Sequence, residues 1–221
     1  MSITVARRTI SRVQIIDDDP SARKAYGFRI ADLKLEPVPQ DGPLTNIDAL
    51  VAHSKEVAEA AILDHHLTKK RYATFNGAEL AARLYQENFP AILCTRYEKA
   101  NVDEIRPYRR FIPVLFTPDS ENLEPDSLCA GLACCFGEFD GEFEAHRRPW
   151  RTLVRVDSFD DNFVYVIIPA WDPRQTVRLT LAHLPKLIHE RIRKGRKRFH
   201  AQVNVGAEQN EDLFFESWES E

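Results

Sequence analysis

The apolar positions fall into two kinds of pattern. From Val13 to Phe116, short runs without polar alternation recur between stretches of helical period. Val13-Gln14-Ile15-Ile16, Leu35 to Val38, Ala60 to Leu63, Ala91 to Thr95 and Ile112 to Phe116 read as strands. Pro20 to Leu33 reads as a helix, with Ala22, Tyr26, Ile30 and Leu33 on one stripe and Pro20 suited to its first turn. Ile47 to Ala58 and Gly77 to Asn88 follow the same period, and Asn101 to Arg110 follows it more weakly. Strands of this kind, separated by helices, predict a five-stranded parallel sheet buried on both faces. That is a doubly wound α/β domain, whose ligand site lies at the carboxyl ends of the strands. A longer helical pattern from about Leu123 to Phe143 carries Leu128, Leu132, Phe136, Phe139 and Phe143 near one face. It either closes this domain or joins it to the next.

After Pro149 the pattern changes. Trp150 to Val156 and Phe163 to Ile168 read as strands around the turn 157–162. Val177, Leu179 and Leu181 alternate with Arg178 and Thr180, the period of a strand with one buried face. His183 to Ile192 reads as a short helix, and Phe199 to Val205 and Leu213 to Trp218 as two more strands. Short strands with one helical insertion predict a small antiparallel β-barrel of OB or SH3 type, with the order of pairing left open. The expected division is 1–120 for the α/β domain, 121–148 for a helical connection and 149–221 for the barrel.

Composition narrows the function classes. The 221 residues are 43% hydrophobic and 29% charged, as in ordinary globular chains. Thirty Lys and Arg against 34 Asp and Glu give a net charge of −4, which excludes a grip on nucleic acid by overall charge. A local basic patch stays open: Arg191, Arg193, Lys194, Arg196, Lys197 and Arg198 precede a tail rich in Glu. They are candidates to meet nucleic-acid phosphates or a protein partner. The longest apolar run, Phe163 to Trp171, has nine residues and contains a proline, against about 20 for a membrane span. No apolar stretch follows Arg7-Arg8, so no export signal is expected. Four irregularly spaced cysteines predict a reduced, cytoplasmic chain. Cys129, Cys134 and Cys135, with His146, lack the C-x2-C spacing of a zinc site and read as small apolar residues of a packed helix.

The chemistry collects at predicted strand ends. Asp17-Asp18-Asp19 ends the first strand, Asp64 the third and Thr95 the fourth. If the third strand lies beside the first, these residues converge. Carboxylates in one crevice repel each other, and a hard divalent cation removes that penalty; oxygen ligands favour Mg2+. A carboxylate beside bound Mg2+ is also a competent nucleophile toward a phosphoryl group, giving an aspartyl phosphate. Asp19, before Pro20, reads as a helix cap.

In these stretches the chain resembles the receiver domain of two-component response regulators. Val13-Gln-Ile-Ile-Asp-Asp-Asp-Pro-Ser-Ala-Arg23 looks like the family's first strand and acidic pair, and Ala61-Ile-Leu-Asp-His-His-Leu67 like its phosphoacceptor strand. Gly77-Ala-Glu-Leu80 and Ala91-Ile-Leu-Cys-Thr95 resemble its third helix and fourth strand. The resemblance spans about residues 12–120. It implies Mg2+ held by Asp17, Asp18, Asp64 and the backbone carbonyl of His66, phosphorylation of Asp64, and Thr95 as the switch hydroxyl. It further implies a cytoplasmic signalling protein with a sensor histidine kinase or ATPase as partner, and leaves a homodimer open.

Two departures from the family matter. Its lysine before a proline is replaced by Thr117-Pro118, which cannot supply the positive charge; Arg96, Arg109 and Arg110 are candidates to do so. The stretch between Asp64 and Gly77 is longer than usual and carries Lys69, Lys70 and Arg71, which could shield the site, replace the lysine or bind a partner. The alternatives are therefore a phosphorylation-independent pseudo-receiver adaptor, or nucleic-acid binding through the barrel. No Ser/His/Asp set, P-loop or dinucleotide fingerprint is present, so self-catalysed aspartyl phosphotransfer is the most chemistry expected. No helix-turn-helix pair follows Pro149.

Overall fold

The structure is a computed structural model that describes residues 2–95, 102–116 and 124–219. The chain divides into two compact units. One is Met1–Glu98 with Phe111–Phe143, the other Lys99–Arg110 with Glu144–Glu221.

The first unit opens with a hairpin that the apolar pattern did not announce, β1 (Ile3–Val5) and β2 (Arg8–Ile10). Five parallel strands follow: β3 (Arg12–Ile16), β4 (Glu36–Pro39), β5 (Ala60–Asp64), β6 (Ala91–Cys94) and β7 (Val114–Phe116). Their order is β4-β3-β5-β6-β7. Numbered along the sheet's own strands this is 2-1-3-4-5, the order of doubly wound folds whose ligand crevice opens between the first and third strands. The expected receiver-like sheet is therefore present.

The inner strands β3, β5 and β6 bury both faces, which is why their sequences are mostly apolar, while β4 at the edge is half-exposed. On one face Val13, Ile15, Ile62 and Ile92 pack against Tyr26 and Ile30 of α1 (Pro20–Asp32) and Leu128 and Leu132 of α5 (Pro125–Phe139). The pattern from Leu123 to Phe143 thus closes this unit instead of forming a connection at 121–148. It stops at Phe139, just before Gly141 with φ +83°. α2 (Ile47–Val57) and α3 (Gly77–Gln86) pack against the sheet as well.

The expected helix Asn101 to Arg110 does not join this sheet. Its described part is α4 (Val102–Ile105) and a 3-10 turn, Arg106–Phe111. Through Arg110 it belongs to the second unit. The reason is its side chains. Arg106 donates to the carbonyls of Asn210 and Leu213 at 2.8 and 3.1 Å, and Asp103 pairs with Arg178.

The second unit is one antiparallel sheet ordered β10-β9-β8-β11-β12. Its strands are β8 (Trp150–Phe159), β9 (Phe163–Ile168), β10 (Asp172–Thr180), β11 (Arg198–Val203) and β12 (Phe215–Glu219). α6 (Lys186–Arg193) enters between β10 and β11 and buries Ile188 and Ile192 in the core with Val154, Val166 and Phe199. A closed barrel was expected; among the described residues no ladder joins β10 to β12. Instead Leu179 and Thr180 of one edge and Phe215 and Trp218 of the other line a cavity of about 80 Å³ together with Arg106 and Pro107.

Candidate functional site

Parallel register brings the acidic residues level. Ile16 pairs with Leu63, and Asp64 with Cys94. Asp17 and Thr95 are the next residues on their strands, so Asp17, Asp64 and Thr95 end up at the same carboxyl edge. Asp18 follows Asp17, and Asp19 turns the chain into α1, its side chain accepting from the Ser21 N–H at 2.9 Å as the N-cap. The cap forms where the sequence placed it.

The carboxyls are poorly solvated. Asp17 is 5% exposed. Its Oδ1 accepts from the Asp19 N–H at 2.7 Å, and its carbonyl from the Arg23 guanidinium at 2.5 Å. Burial pushes its carboxyl up to about 6; the Asp19 N–H opposes this, and the charges of Asp64 and Asp18 add to it. Asp64 is also raised by burial, against the opposing N–H of His66, which donates to its Oδ2 at 2.6 Å. These are carboxylates packed together with too little countercharge. The neighbouring Cys94 does not compete as a nucleophile, because burial pushes its thiol up to about 12.

That environment tests whether Mg2+ fits. Among the described residues, no three His, Cys, Asp or Glu side chains are gathered closely enough to form a metal cage. Yet Asp17 feels the charges of both Asp64 and Asp18. An ion that keeps several of its own waters needs no closed protein cage, and Mg2+ is such an ion. An all-oxygen donor set short of positive charge fits it. The His66 carbonyl accepts a long 3.4 Å bond from the Lys69 N–H.

Thr95 is 1% exposed. Its N–H donates to the Phe116 carbonyl at 2.9 Å, which fixes the residue on β6. Its Oγ1 has no hydrogen-bond partner among the described residues. A buried unpaired hydroxyl costs about 1–3 kcal/mol, so one at a strand end beside carboxylates is an acceptor-seeking donor.

The cations lie elsewhere than expected. Thr117 and Arg96 are outside the described residues. Arg109 is paired with Asp212 at 3.0 Å and Arg110 with Glu216 at 3.2 Å. Lys70 reaches Asp18 instead, Nζ to Oδ2 at 3.7 Å. The sequence showed a basic loop there but not where Lys70 points. Gly77 opens α3 directly against the Asp64 backbone.

In the second unit the basic set is spread over three elements. Arg191 and Arg193 sit on α6, Lys194 to Lys197 in the turn after it, and Arg198 starts β11. Arg193 is committed to Asp161 and lies over the Phe159 ring at 5.9 Å. Arg198 lies directly opposite Arg155 of β8, an exposed like-charge pair that the sequence did not reveal.

No protein-family model matches the sequence, and no curated protein matches it. Among solved structures the chain is similar to a response regulator receiver domain protein from Clostridium thermocellum, at 10% identity over 59% of this chain and 97% of that one, TM-score 0.43. It is similar to the response regulator protein TrrA from Thermotoga maritima, solved in complex with Mg2+ and BeF, at 18% identity over 55% and 98%, TM-score 0.43. It is also similar to the anti-anti-sigma factor PhyR from Bartonella quintana, at 16% identity over 62% and 51%, TM-score 0.41.

Proposed function

We propose that the first unit is a signalling receiver that binds Mg2+ and is phosphorylated on Asp64. The observation that carries this reading is the meeting of Asp17 and Asp64 with a buried Thr95 hydroxyl, unpartnered among the described residues, at one strand edge. In the reaction an Asp64 carboxylate oxygen forms a bond to phosphorus as the donor's own bond to phosphorus breaks. Asp17, Asp18, Asp64 and the His66 carbonyl are the groups that would hold Mg2+, which when bound would neutralise charge on the transferring phosphoryl group. Thr95 then gives its hydroxyl proton to a phosphoryl oxygen, gaining the hydrogen bond it lacks. The donor is a partner kinase or a small phosphodonor; beyond self-phosphorylation the chain is not an enzyme.

The second unit is the output, a small OB-like barrel whose state the receiver controls. The OB reading rests on its strand order, a three-stranded meander, a helix, and two strands returning beside the first. Incubation with acetyl phosphate and Mg2+ tests the receiver. One phosphate per chain by intact mass, absent in Asp64→Asn, is expected; no uptake by the intact protein overturns the reading.

A second reading is nucleic-acid binding by the second unit. Arg155 opposite Arg198 favours it, since like charges facing across a ladder are relieved by an anion. It requires an affinity for oligonucleotides that falls steeply with salt. No shift at low salt removes it.

A further inference from the structure

We propose that Lys70 is the built-in cation of the aspartate site, sitting on Asp18 when no metal is bound and moving to the phosphoryl oxygens when one is. The inference deepens the receiver reading and rests on it.

Three observations carry it. First, Lys70 is the described cation paired with a site carboxylate. Asp18 is 10% exposed in its side chain, and Lys70 Nζ stands 3.7 Å from its Oδ2. Second, three other described cations near or expected at the site, Arg23, Arg109 and Arg110, are engaged. Arg23 donates to the Asp17 carbonyl and pairs with Asp41, and Arg109 and Arg110 pair with Asp212 and Glu216. Third, the loop that carries Lys70 is tied down on both sides. Leu67 is buried, its carbonyl accepts from the Ala73 N–H at 2.9 Å, and the Tyr72 hydroxyl donates to the Gln40 carbonyl at 2.7 Å. Between these anchors Lys70 and Arg71 take φ of +54° and +58°, a left-handed backbone that costs a non-glycine residue free energy and is held only by its surroundings. Neither Lys69 nor Arg71 is paired with a site carboxylate among the described residues.

The contact is an ion pair too long for a hydrogen bond, and Lys70 is 62% exposed. A lysine held this loosely, on a flexible four-carbon stem, can leave Asp18 when a divalent cation arrives. Its ammonium, whose charge also acts on Asp19, would then be free to turn to a phosphoryl group on Asp64. Lys70 would thus supply, from the loop after β5, the positive charge that a threonine at position 117 cannot.

The test is Mg2+ titration of the full chain by calorimetry, followed by 19F NMR of bound beryllofluoride. Lys70→Gln should bind Mg2+ about three- to ten-fold tighter, the range for losing a partly exposed competing charge. It should also hold beryllofluoride several-fold more weakly, with Lys70→Arg restoring part of that loss. Lys69→Gln should change neither. Wild-type Mg2+ affinity in Lys70→Gln overturns the inference while the receiver reading stands. No Mg2+ uptake by wild type or variant overturns the metal site itself; uptake by the variant alone supports the inference outright.

Discussion

Gly77 lies so close to Asp64 that a β-carbon on it would fall 1.9 Å from the Asp64 carbonyl oxygen and 2.8 Å from the carbonyl carbon. Both atoms belong to backbone, so no rotamer change relieves the contact. The α3 N-terminus is fixed there by Asn76, whose side chain accepts from the Glu79 N–H at 2.8 Å, and by the Gly77 N–H donating to the His65 carbonyl at 2.9 Å. Gly77→Ala should cost about 2–4 kcal/mol by urea denaturation. It should also displace the end of β5 and so weaken Mg2+ binding.

Thr95→Val keeps the shape of the side chain and removes a buried hydroxyl that has no partner among the described residues. Its stability should stay within about 1 kcal/mol of wild type or rise. Acetyl phosphate should still label Asp64, but amide shifts induced by beryllofluoride near β6 should shrink. Full wild-type shifts in the valine variant would remove Thr95 from the switch.

Glu59 gives a pH dependence with a definite sign. Burial pushes its carboxyl up, but bonds from the Arg12 side chain, the Arg12 N–H at 2.7 Å and the Ser11 N–H at 3.0 Å outweigh burial and hold it below 4.5. A depressed carboxyl contributes stability that is present above its unfolded value and lost as pH falls through the folded one. Glu59→Gln should therefore lower stability at pH 7 and have little effect at pH 3, measured by thermal unfolding at both.

Arg147 is fully buried. It donates to the carbonyls of Arg109 and Arg110, both at 2.9 Å, and lies 4.9 Å from the Phe214 ring centroid. Arg147→Met leaves two carbonyls short of a charged donor and should cost about 3 kcal/mol. All three tryptophans, Trp150, Trp171 and Trp218, lie in the second unit, so tryptophan fluorescence reads this loss directly.

What could be read from the residues and what could not divides along physical lines. The parallel strands announce themselves because burial on both faces forces unbroken apolar runs. Asp17, Asp18, Asp64 and Thr95 were found because one register and one strand order suffice to align strand ends. The β1–β2 hairpin was missed because its turn, Ala6 and Arg7 at φ +46° and +64°, uses neither glycine nor asparagine. Arg106, Arg109 and Arg147 look like surface charges in sequence; they are buried because acceptors far along the chain meet them, carbonyls for Arg106 and Arg147 and the Asp212 carboxylate for Arg109. The aim of Lys70 depends on a left-handed turn that no spacing encodes. β10 starts at Asp172, well before the alternating run, since its first residues lie mostly exposed and carry no apolar period.

The assignment of residues 99–110 to the second unit has a consequence for how such a protein can be built or taken apart. The polypeptide passes from the first unit to the second, back again, and over once more. Neither unit is a contiguous stretch of gene. A cut after residue 143 would strand Val102, Ile105 and Arg106 without the strands that bury them. The second unit cannot be exchanged as a downstream cassette. A chimera has to carry the short insertion between β6 and β7 along with residues 144–221.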